Sequence, residues 1–409
     1  MIDSFDSWFT SHQTQIVSRL IEFINIETTS PHEPDCHGLL SSWLREIGAE
    51  LCFEQLPGAI ATHPARACFD HQPPLSSQSL FSARYPAGAR FSESLLFSGH
   101  LDVVPAGAEF PRAFEGYEEA GVVHGRGACD TKNNIVMVIE ALRYLRAAGK
   151  SPSVPVILDF PFEEEIGGCG ALARSLVVDQ PLGSVCLEPT SLQVYRGHRG
   201  CVSIEILVEG EGVHMGSPRP RASAIDGAFL VTQALKRLEK SWIEEARASV
   251  DFAAWERPLQ INVGYISGGQ WHGSVPESCK LGCNVGFLPP RSVDKVVVEV
   301  RTFVAQELSR EGFPGTFSVR CNGLRNEGYV QPAGTALEQR LLSILQKQGV
   351  SQDRVSAWNV SCDGRLYAST GSPTLIFGCG SLADAHSNHE RVSIEELKAG
   401  VRIISELLS

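Results

Sequence analysis

The sequence FSGHLDVVPAG occupies residues 97–107 and follows an apolar run at 94–98 that predicts a buried strand. This strand should end at Gly99, which places His100 and Asp102 just beyond it. In an open α/β sheet, reactive side chains collect outside the carboxyl ends of the strands. An imidazole binds a metal well when its second ring nitrogen is held, and a nearby carboxylate can hold it. The two residues are therefore either a metal ligand with its holder or a hydrogen-bonded structural pair.

A second motif, VHGRGACDTKNN at residues 123–134, supplies Asp130. The aspartate follows a glycine-rich turn at 125–127 and comes directly before a predicted helix. The apolar positions of that helix fall on one face: Ile135, Val138, Ile139, Leu142 and Leu145. Asp130 thus lies where the chain enters a helix, and it is the second candidate ligand.

Length and composition limit the class of protein. With 409 residues and 43% hydrophobic content, the chain can bury a large core, and its length predicts two domains. A net charge of -12 disfavours nucleic acid or an anionic membrane as a partner, although solubility alone explains such a charge. The first residues lack the features of an export signal, and no apolar run is long enough to cross a bilayer. The cysteines are scattered, several of them in apolar segments, so we expect free thiols and a cytoplasmic protein.

Carboxylates follow two further apolar runs. The run at 154–162 leads directly into Glu163, Glu164 and Glu165 and then into a glycine turn. Neighbouring like charges make each other harder to ionise, and a bound cation relieves that cost. A solvated acidic loop is the alternative interpretation. Another buried run ends at Glu188, again with a carboxylate at the tip of a strand.

Alternating strands and helices up to residue 197 predict an α/β domain with a mostly parallel sheet flanked by helices. From 198 to 322 the order becomes β-α-β-β-α-β, a ferredoxin-like α+β plan for an inserted domain. Residues 323–409 then return to the first domain. The main predicted elements are helices at 8–26, 37–48, 224–239, 293–308, 335–348 and 393–408, and strands at 259–266, 279–288, 316–321 and 372–378.

The candidate donors each follow a core element: His100, Asp130, Glu165, Glu188, and either His386 or His389. Imidazole and carboxylate at low coordination number suit zinc, and two ions about 3.5–4 Å apart can share a carboxylate, for which short Asp130 is suited. A water held between two such ions loses a proton near neutral pH and can attack an amide carbonyl. Glu164, which faces away from Glu165 in an extended chain, should carry that proton to the leaving nitrogen.

The motifs SGHLDVVPAG, GRGACDTK, EEEIGGCGA, CLEPTS and DAHSNHE resemble, in order and spacing, those of a known family. These are the co-catalytic zinc amidohydrolases, which include acetylornithine deacetylase, succinyl-diaminopimelate desuccinylase, aminoacylase and glutamate carboxypeptidase. The resemblance implies two zinc ions, with cobalt or manganese as substitutes, held by two ligand sets: His100, Asp130 and Glu188, and Asp130, Glu165 and His386. It also implies that Asp102 holds His100, that Glu164 is the general acid/base, and that His386 rather than His389 is the ligand.

The resemblance also assigns roles to the inserted domain. It implies a lid that forms a homodimer, with His214 of GVHMGSP stabilising the oxyanion in the partner subunit's site. Asn262 belongs to the same lid pattern and is expected to bind substrate. A further implication is a cis peptide bond between Asp130 and Thr131.

One departure from the family pattern bears on the substrate. Relatives usually carry Asp-x-Arg in the strand written here as GCNVGFLPP, and that arginine clamps a carboxylate; this chain has Asn284 and Gly286. Glycine cannot form a bidentate carboxylate clamp. One possibility is that Arg365 of SCDGRLY supplies the carboxylate clamp instead. The other is that the substrate lacks an α-carboxylate. A purely structural interpretation of Arg365 is that it pairs with Asp363. Gly378 completes the set of expected substrate-binding residues.

These observations leave several functional hypotheses. The leading one is a two-zinc hydrolase that removes an acyl group, most simply acetyl, from the nitrogen of a small amino acid-like compound. The alternative within the same chemistry is a dipeptidase or carboxypeptidase. A metal-free binding descendant would have lost a ligand or the acid/base, and the sequence retains them all. A structural thiol-rich protein would contain disulfides.

Overall fold

The computed structural model describes residues 4–70, 74–218, 222–352 and 356–409. Its helices are α1 (Phe5–Ile24), α2 (His37–Ile47), α3 (Lys132–Ala147), α4 (Cys169–Ser175), α5 (Ala224–Ala246), α6 (Val293–Arg310), α7 (Ala336–Lys347), α8 (Gly364–Ala368) and α9 (Ile394–Leu408). Its strands are β1 (Glu50–Glu54), β2 (Leu80–Tyr85), β3 (Leu95–Ser98), β4 (Tyr117–Glu119), β5 (Val122–His124), β6 (Val156–Phe160), β7 (Gly183–Cys186), β8 (Gly197–His198), β9 (Gly200–Glu209), β10 (Val213–His214), β11 (Ile261–Gly268), β12 (Ser274–Val275), β13 (Ser278–Phe287), β14 (Thr316–Asn326), β15 (Tyr329–Val330), β16 (Thr374–Ile376) and β17 (Arg391–Ser393).

The larger sheet has six strands in the order β1-β2-β6-β3-β7-β16. Strands β6, β3, β7 and β16 run parallel to one another. Strands β1 and β2 are added antiparallel at one edge. The mostly parallel sheet predicted from the sequence is therefore confirmed.

Helices cover both faces of this sheet. Phe97 of β3 faces a core that includes residues of α1, α2, α3 and α9. Its neighbour Leu96 faces the other side, where it packs in a second core with residues of α4 and α8, including Tyr367. Because successive side chains of a strand point to opposite faces, two cores on the two sides are the expected result. Helix α3, almost wholly buried, is the central helix of the first face.

The helix ends carry the sequence signals that fix them. Helix α1 begins behind Ser4, whose hydroxyl accepts the backbone N–H of Ser7. The same kind of cap precedes three other helices, at Ser223, Ser292 and Thr335. Helix α2 ends at Gly48, which has φ 83° in the left-handed region that glycine adopts without strain.

The smaller sheet is antiparallel, in the order β11-β13-β9-β14. Helices α5 and α6 pack against it in a separate hydrophobic core. This confirms the β-α-β-β-α-β, ferredoxin-like plan. The domain boundaries at 197/198 and 322/323 stay predictions, and β14 continues past the second of them to Asn326.

Sequence analysis missed several short elements. Strands β17, β5 and β4 form a small antiparallel sheet, and helices α4 and α8 lie on the second face of the large sheet. Strands of three residues and helices of five to seven are too short to show a periodic pattern.

Within the described ranges, every helix is too short or too polar to cross a bilayer.

Candidate metal centre

The candidate donors lie at one edge of the large sheet. Strands β3, β6 and β7 are adjacent and parallel, so their carboxyl ends meet there. His100 follows β3, Glu165 follows β6, and Glu188 follows β7. Helix α3, which begins just after Asp130, approaches closely because residue 99 is glycine: an added Cβ would lie 2.6 Å from Ile135. Residues that are distant in sequence thus meet at one edge of the sheet, as expected for the carboxyl ends of parallel strands.

Asp130 lies between two histidines. Its Oδ1 is 3.0 Å from Nε2 of His100, and its Oδ2 is 3.3 Å from Nε2 of His386. Each oxygen therefore serves a different imidazole, as a carboxylate shared by two ions would require. The peptide bond between Asp130 and Thr131 is cis, as expected.

His386 connects a distant segment to this group. Its Nε2 lies 3.0 Å from Oε1 of Glu165, and its backbone adopts φ 58°, an uncommon conformation for a residue other than glycine. The candidate ligand atoms of His100, Asp130 and Glu165 all lie within 4.8 Å of one another. Both histidines are exposed, but among the described contacts it is His386, and not His389, that joins the group.

His100 is held differently from the prediction. Its Nδ1 lies 2.9 Å from the backbone carbonyl oxygen of Asp102 and 3.6 Å from the Asp102 carboxylate. The carboxylate instead accepts the backbone N–H groups of Glu164 and Glu165, at 3.0 and 2.9 Å. Asp102 therefore fixes the histidine ring through its main chain, and positions the two glutamates through its side chain. The sequence could not distinguish these two uses of one residue.

Glu188 lies at the margin of the group. It is 4% exposed, and a carboxylate oxygen lies within 4.8 Å of the thiol sulfurs of Cys186 and Cys362. Burial raises the pKa of Glu188 well above its usual value, and the charges of Cys362, Glu164 and Asp130 act in the same direction. The charge of Asp130 thus affects the pKa of Glu188, but Glu188 lies outside the group formed by His100, Asp130 and Glu165.

Glu164 is partly buried next to these donors. Burial raises its pKa well above the usual value, and the neighbouring carboxylates of Asp363 and Glu165 add to the effect. His100 opposes the shift. A carboxyl group with a raised pKa can both accept and return a proton near neutral pH, as a general acid/base must.

The charges of the group indicate that cations belong there. Burial lowers the pKa of each imidazole, but the neighbouring carboxylates, which accept hydrogen bonds from the rings, raise the pKa of His386 to about 11 and that of His100 well above its usual value. The same contacts lower the pKa of Asp130 despite burial, while burial and Asp130 raise the pKa of Glu165. The negative charges of the carboxylates thus favour positively charged imidazole rings. Two imidazoles and several carboxylates form a donor set that fits divalent zinc.

Glu390 is a positioning residue that sequence analysis missed. Its buried carboxylate accepts the backbone N–H groups of Gly127, Cys129 and Asp130, at 2.9 to 3.1 Å, and pairs with Arg126. It follows His386 closely and precedes β17, which pairs with β5. Its one signal was its place as the last residue of the motif DAHSNHE. One short segment therefore supplies a candidate ligand and also fixes the loop that carries the shared aspartate.

The structure does not support the predicted substrate contacts of Arg365 and Gly378. The Arg365 guanidinium is buried and donates to the carbonyl oxygens of Cys362 and Gly167, at 2.7 and 3.1 Å. It lies 3.8 Å from Asp363, the alternative pairing considered above. Gly378 is a packing position, because an added Cβ would lie 2.5 Å from the carbonyl oxygen of Glu188.

His214 and Asn262 lie on the inserted domain, away from the contacts just described. His214 is exposed on β10 and lines a cleft of about 690 Å³ with Trp271. Asn262 is exposed on β11, in register with Asn284 of β13. The described contacts do not join either residue to the candidate ligands of its own chain.

A different arginine occupies the space at Gly286. A Cβ added there would lie 3.0 Å from Nη1 of Arg199 and 2.9 Å from the carbonyl oxygen of Gln260. The Arg199 guanidinium also donates to the carbonyl oxygens of Asn359 and Gly200. The guanidinium of Arg199, the residue before β9, therefore fills the space that a side chain at residue 286 would take.

Comparison with known proteins identifies the family. The model of Peptidase family M20/M25/M40 matches residues 96–409. The chain is 28% identical over 330 residues to N-formyl-4-amino-5-aminomethyl-2-methylpyrimidine deformylase of Halalkalibacterium halodurans, covering 74% of this chain and 76% of the relative. It is also 28% identical over 308 residues to acetylornithine deacetylase of Myxococcus xanthus, with the same coverage.

A solved structure shares the fold. It is that of a Bacillus subtilis protein described as a dinuclear metal-binding peptidase of the M20 family, with a TM-score of 0.66, 12% identity and 98% coverage of both chains. The matched family segment contains all the candidate ligands at the sheet edge. The chain therefore belongs to peptidase family M20/M25/M40, and it is a metal-dependent amidohydrolase.

Proposed function

We propose that this protein removes a small acyl group from the nitrogen of an N-acylated amine or amino acid, with water as nucleophile. The observation that carries the proposal is the position of the Asp130 carboxylate, with one oxygen toward His100 and the other toward His386. A shared carboxylate between two imidazoles is the arrangement required by two adjacent metal ions. The relatives with deformylase and deacetylase activity support the same reaction class.

Two zinc ions are the proposed cofactors, with cobalt or manganese as substitutes. His100, Asp130 and Glu188 would hold one ion, and Asp130, Glu165 and His386 the other. The dinuclear site of the Bacillus subtilis neighbour supports this number. When bound, the ions supply Lewis acidity for the attacking water and for the amide carbonyl.

Glu164 is the proposed general acid/base. Its backbone N–H is held by Asp102 at 3.0 Å, so its position relative to Glu165 is fixed. The side chain takes a proton from the attacking water and gives it to the leaving nitrogen, which departs as a neutral amine. The raised pKa of Glu164 favours the protonated form that the second step needs.

The choice of amine rests on the two described positions that were candidates for a carboxylate clamp, residues 286 and 365. Residue 286 is glycine, and Arg365 already donates to two backbone carbonyl oxygens. An N-acylated amine without an α-carboxylate is therefore a candidate beside an N-acetyl amino acid. The deformylase relative, whose named substrate is an N-formylated aminomethylpyrimidine, supports the first, and the acetylornithine deacetylase supports the second.

We also propose a homodimer formed through the inserted domain. Strand β11 is an edge strand of the smaller sheet, and Tyr265 and Ile266 on it are about half exposed, at 50% and 51%. Exposed apolar edge strands pair readily with other chains. In such a dimer His214 would serve the partner's site, since it is exposed and does not contact the ligands of its own chain.

Mixing two inactive variants tests this arrangement. His214→Ala should lower kcat by about 10²- to 10³-fold, the usual effect of losing an oxyanion donor. Mixed with Glu164→Gln under exchange conditions, it should regain about a quarter of wild-type activity, because half of the dimers then contain one complete site. No recovery in a mixture shown to exchange subunits would exclude a histidine shared between subunits.

We propose a cytoplasmic location. The twelve cysteines are all free thiols, as a reducing compartment maintains.

The reaction is tested with zinc-loaded protein on three substrate types: N-acetylornithine, an N-formylated aminomethylpyrimidine and a neutral dipeptide. We expect turnover of at least one N-acyl compound, loss on chelation, and recovery with zinc. Chelated protein and Glu164→Gln serve as controls for contaminating hydrolases. Higher kcat/KM for the dipeptide would replace the proposed deacylase with a dipeptidase, the alternative within this family.

A further inference from the structure

A second group of potential ligands lies beside the metal centre. The thiol sulfurs of Cys186 and Cys362 and a carboxylate oxygen of Glu188 all lie within 4.8 Å of one another. The three residues are 2%, 1% and 4% exposed. Cys186 ends β7, Glu188 follows it by two residues, and Cys362 comes from the loop before α8. Polar side chains from two separate segments thus converge in the interior.

The spacing is close to that of a metal site. A zinc ion with sulfur ligands at about 2.3 Å and an oxygen at about 2.0–2.2 Å holds these atoms about 3.5–3.8 Å apart in tetrahedral geometry. Sγ of Cys186 lies 3.9 Å from Oε1 of Glu188. Small rotations of the side chains would therefore suffice to bind an ion.

The surroundings of Cys362 favour a thiolate. Its sulfur accepts the backbone N–H of Gly364 at 3.5 Å. Nearby, the two ring nitrogens of buried His198 lie 2.7 and 3.0 Å from the carbonyl oxygens of Arg199 and Cys362. Both ring nitrogens of His198 thus face backbone carbonyl oxygens, which hold the ring beside Cys362. A backbone N–H directed at the sulfur favours the thiolate, the form that binds metals.

A further polar atom at this place lacks a partner. The Tyr329 hydroxyl is buried and, within the described ranges, has no hydrogen-bond partner. A Cβ added to Gly364 would lie 2.7 Å from this hydroxyl and 3.4 Å from the Cys362 sulfur, so the two groups are neighbours. A buried hydroxyl is costly to leave unsatisfied. A ligand bound between the thiols would be close to it.

We propose that Cys186, Glu188 and Cys362 form an additional cation site, selective for thiophilic ions such as zinc or cadmium. The site is distinct from the proposed pair of ions because two of its three ligands are sulfur, whereas that pair has only nitrogen and oxygen donors. Binding breaks the S–H bonds of any protonated thiols, forms two metal–sulfur bonds and releases those protons to solvent. An excess of such an ion would also draw Glu188 away from the co-catalytic pair and slow the enzyme, a consequence that rests on the proposed function.

Cadmium titration of the zinc-loaded protein tests the site without using activity. Cadmium bound to thiolate absorbs in the ultraviolet through charge transfer from sulfur, and cadmium at the nitrogen and oxygen sites does not. We expect one added equivalent to give this absorption in the wild type, and Cys186→Ser with Cys362→Ser to abolish it. Cys283→Ser, a buried cysteine of the inserted domain, is the matched control and should keep the full signal.

X-ray absorption at the cadmium edge of the wild-type protein gives an independent measurement if the double variant fails to fold. Two sulfurs and at least one oxygen around the added ion would support the site. An unchanged signal in a folded double variant, or a coordination shell without sulfur, would overturn it. In rate measurements, the same cadmium should lower kcat at least tenfold in the wild type and less than twofold in Cys362→Ser, each relative to its own rate.

If the protein proves not to be a deacylase, the rate measurement loses its meaning, but the stoichiometry and the charge-transfer absorption still decide the site. The two proposals therefore fail separately.

Discussion

A hydrogen bond of 3.0 Å joins the backbone N–H of Asp130 to the side chain of Glu390, although 260 residues of chain separate them. The same carboxylate oxygen accepts two more backbone N–H groups of the Asp130 loop, and the other pairs with Arg126. Glu390, which is not a candidate metal ligand, therefore fixes the conformation of the loop that carries Asp130.

Glu390→Gln should lower metal affinity by about 10- to 100-fold, the usual effect of losing a group that orients a ligand. The amide oxygen can still accept from the loop, but its NH₂ group then meets Arg126, donor against donor, in a buried place. We expect a stability loss of about 1–3 kcal/mol in addition. Competition with a chromophoric chelator measures the affinity, and thermal unfolding measures the stability. Exposed Glu22→Gln on α1 is the control, and equal affinities in the two variants would contradict the positioning role.

Asp102 should show separable effects of carboxylate and main chain. Asp102→Ala removes the acceptor of the Glu164 and Glu165 N–H groups but keeps the carbonyl that holds His100. We expect kcat to fall about 10- to 100-fold through displaced glutamates, with a smaller loss in Asp102→Asn, whose amide oxygen can accept one N–H. An equal loss in both variants, with unchanged metal content, would indicate that the negative charge matters instead of the hydrogen bonds.

Glu164→Gln should keep both metal ions and lower kcat by about 10²- to 10⁴-fold, the usual contribution of a general acid/base. Glutamine has the same shape, and Glu164 is not among the proposed ligands. Elemental analysis and steady-state rates at saturating substrate measure the two properties. Activity within threefold of the wild type would remove Glu164 from the mechanism.

Arg365→Ala separates a substrate clamp from a structural residue. Because the guanidinium donates to the carbonyl oxygens of Cys362 and Gly167, its loss leaves two buried acceptors unpaired. We expect destabilisation of about 2–4 kcal/mol from these two acceptors, with KM changed less than threefold in the folded fraction. A large rise in KM for carboxylate-bearing substrates alone, at unchanged stability, would restore the clamp hypothesis.

His37 should make stability depend on pH. Burial lowers the pKa of His37 from 6.5 to about 4, so between these values the unfolded chain binds more protons than the folded one. Its contribution is complete above pH 6.5 and is lost as the pH falls toward 4. After allowance for its partial exposure this amounts to about 1 kcal/mol. His37→Phe places another ring beside Phe53 and Phe81. This variant should lose less thermal stability than the wild type when the pH falls from 7.5 to 5. An identical loss in both proteins would show that another group causes the pH dependence.

Sequence reasoning succeeded where local pattern and topology agree. Apolar runs that end at Gly99 and before Glu163 predicted strands, and the rule for parallel strands then placed their following residues together. His386 was selected over His389 by the family motif, and the structure agrees in position. Long periodic helices were predicted to within a few residues, except that α5 continues to Ala246.

The sequence could not show which partner each polar side chain contacts after folding. Asp102 and His100 are two residues apart, yet the carboxylate turns to the neighbouring strand end and leaves the histidine to the main chain. Glu390 and Arg199 contact partners far away in the chain, and no periodic pattern encodes such a contact. These are packing outcomes, and one sequence without structure carries no signal for them.

The small sheet formed by β17, β5 and β4 has a consequence for biosynthesis. It docks the segment containing His386 and Glu390 onto the loop of Asp130, and that segment is translated long after the loop. A nascent chain on the ribosome therefore exposes His100 and Asp130 without their later counterparts, and it cannot mature into a working hydrolase until residues 386–390 have been synthesised and have reached this loop.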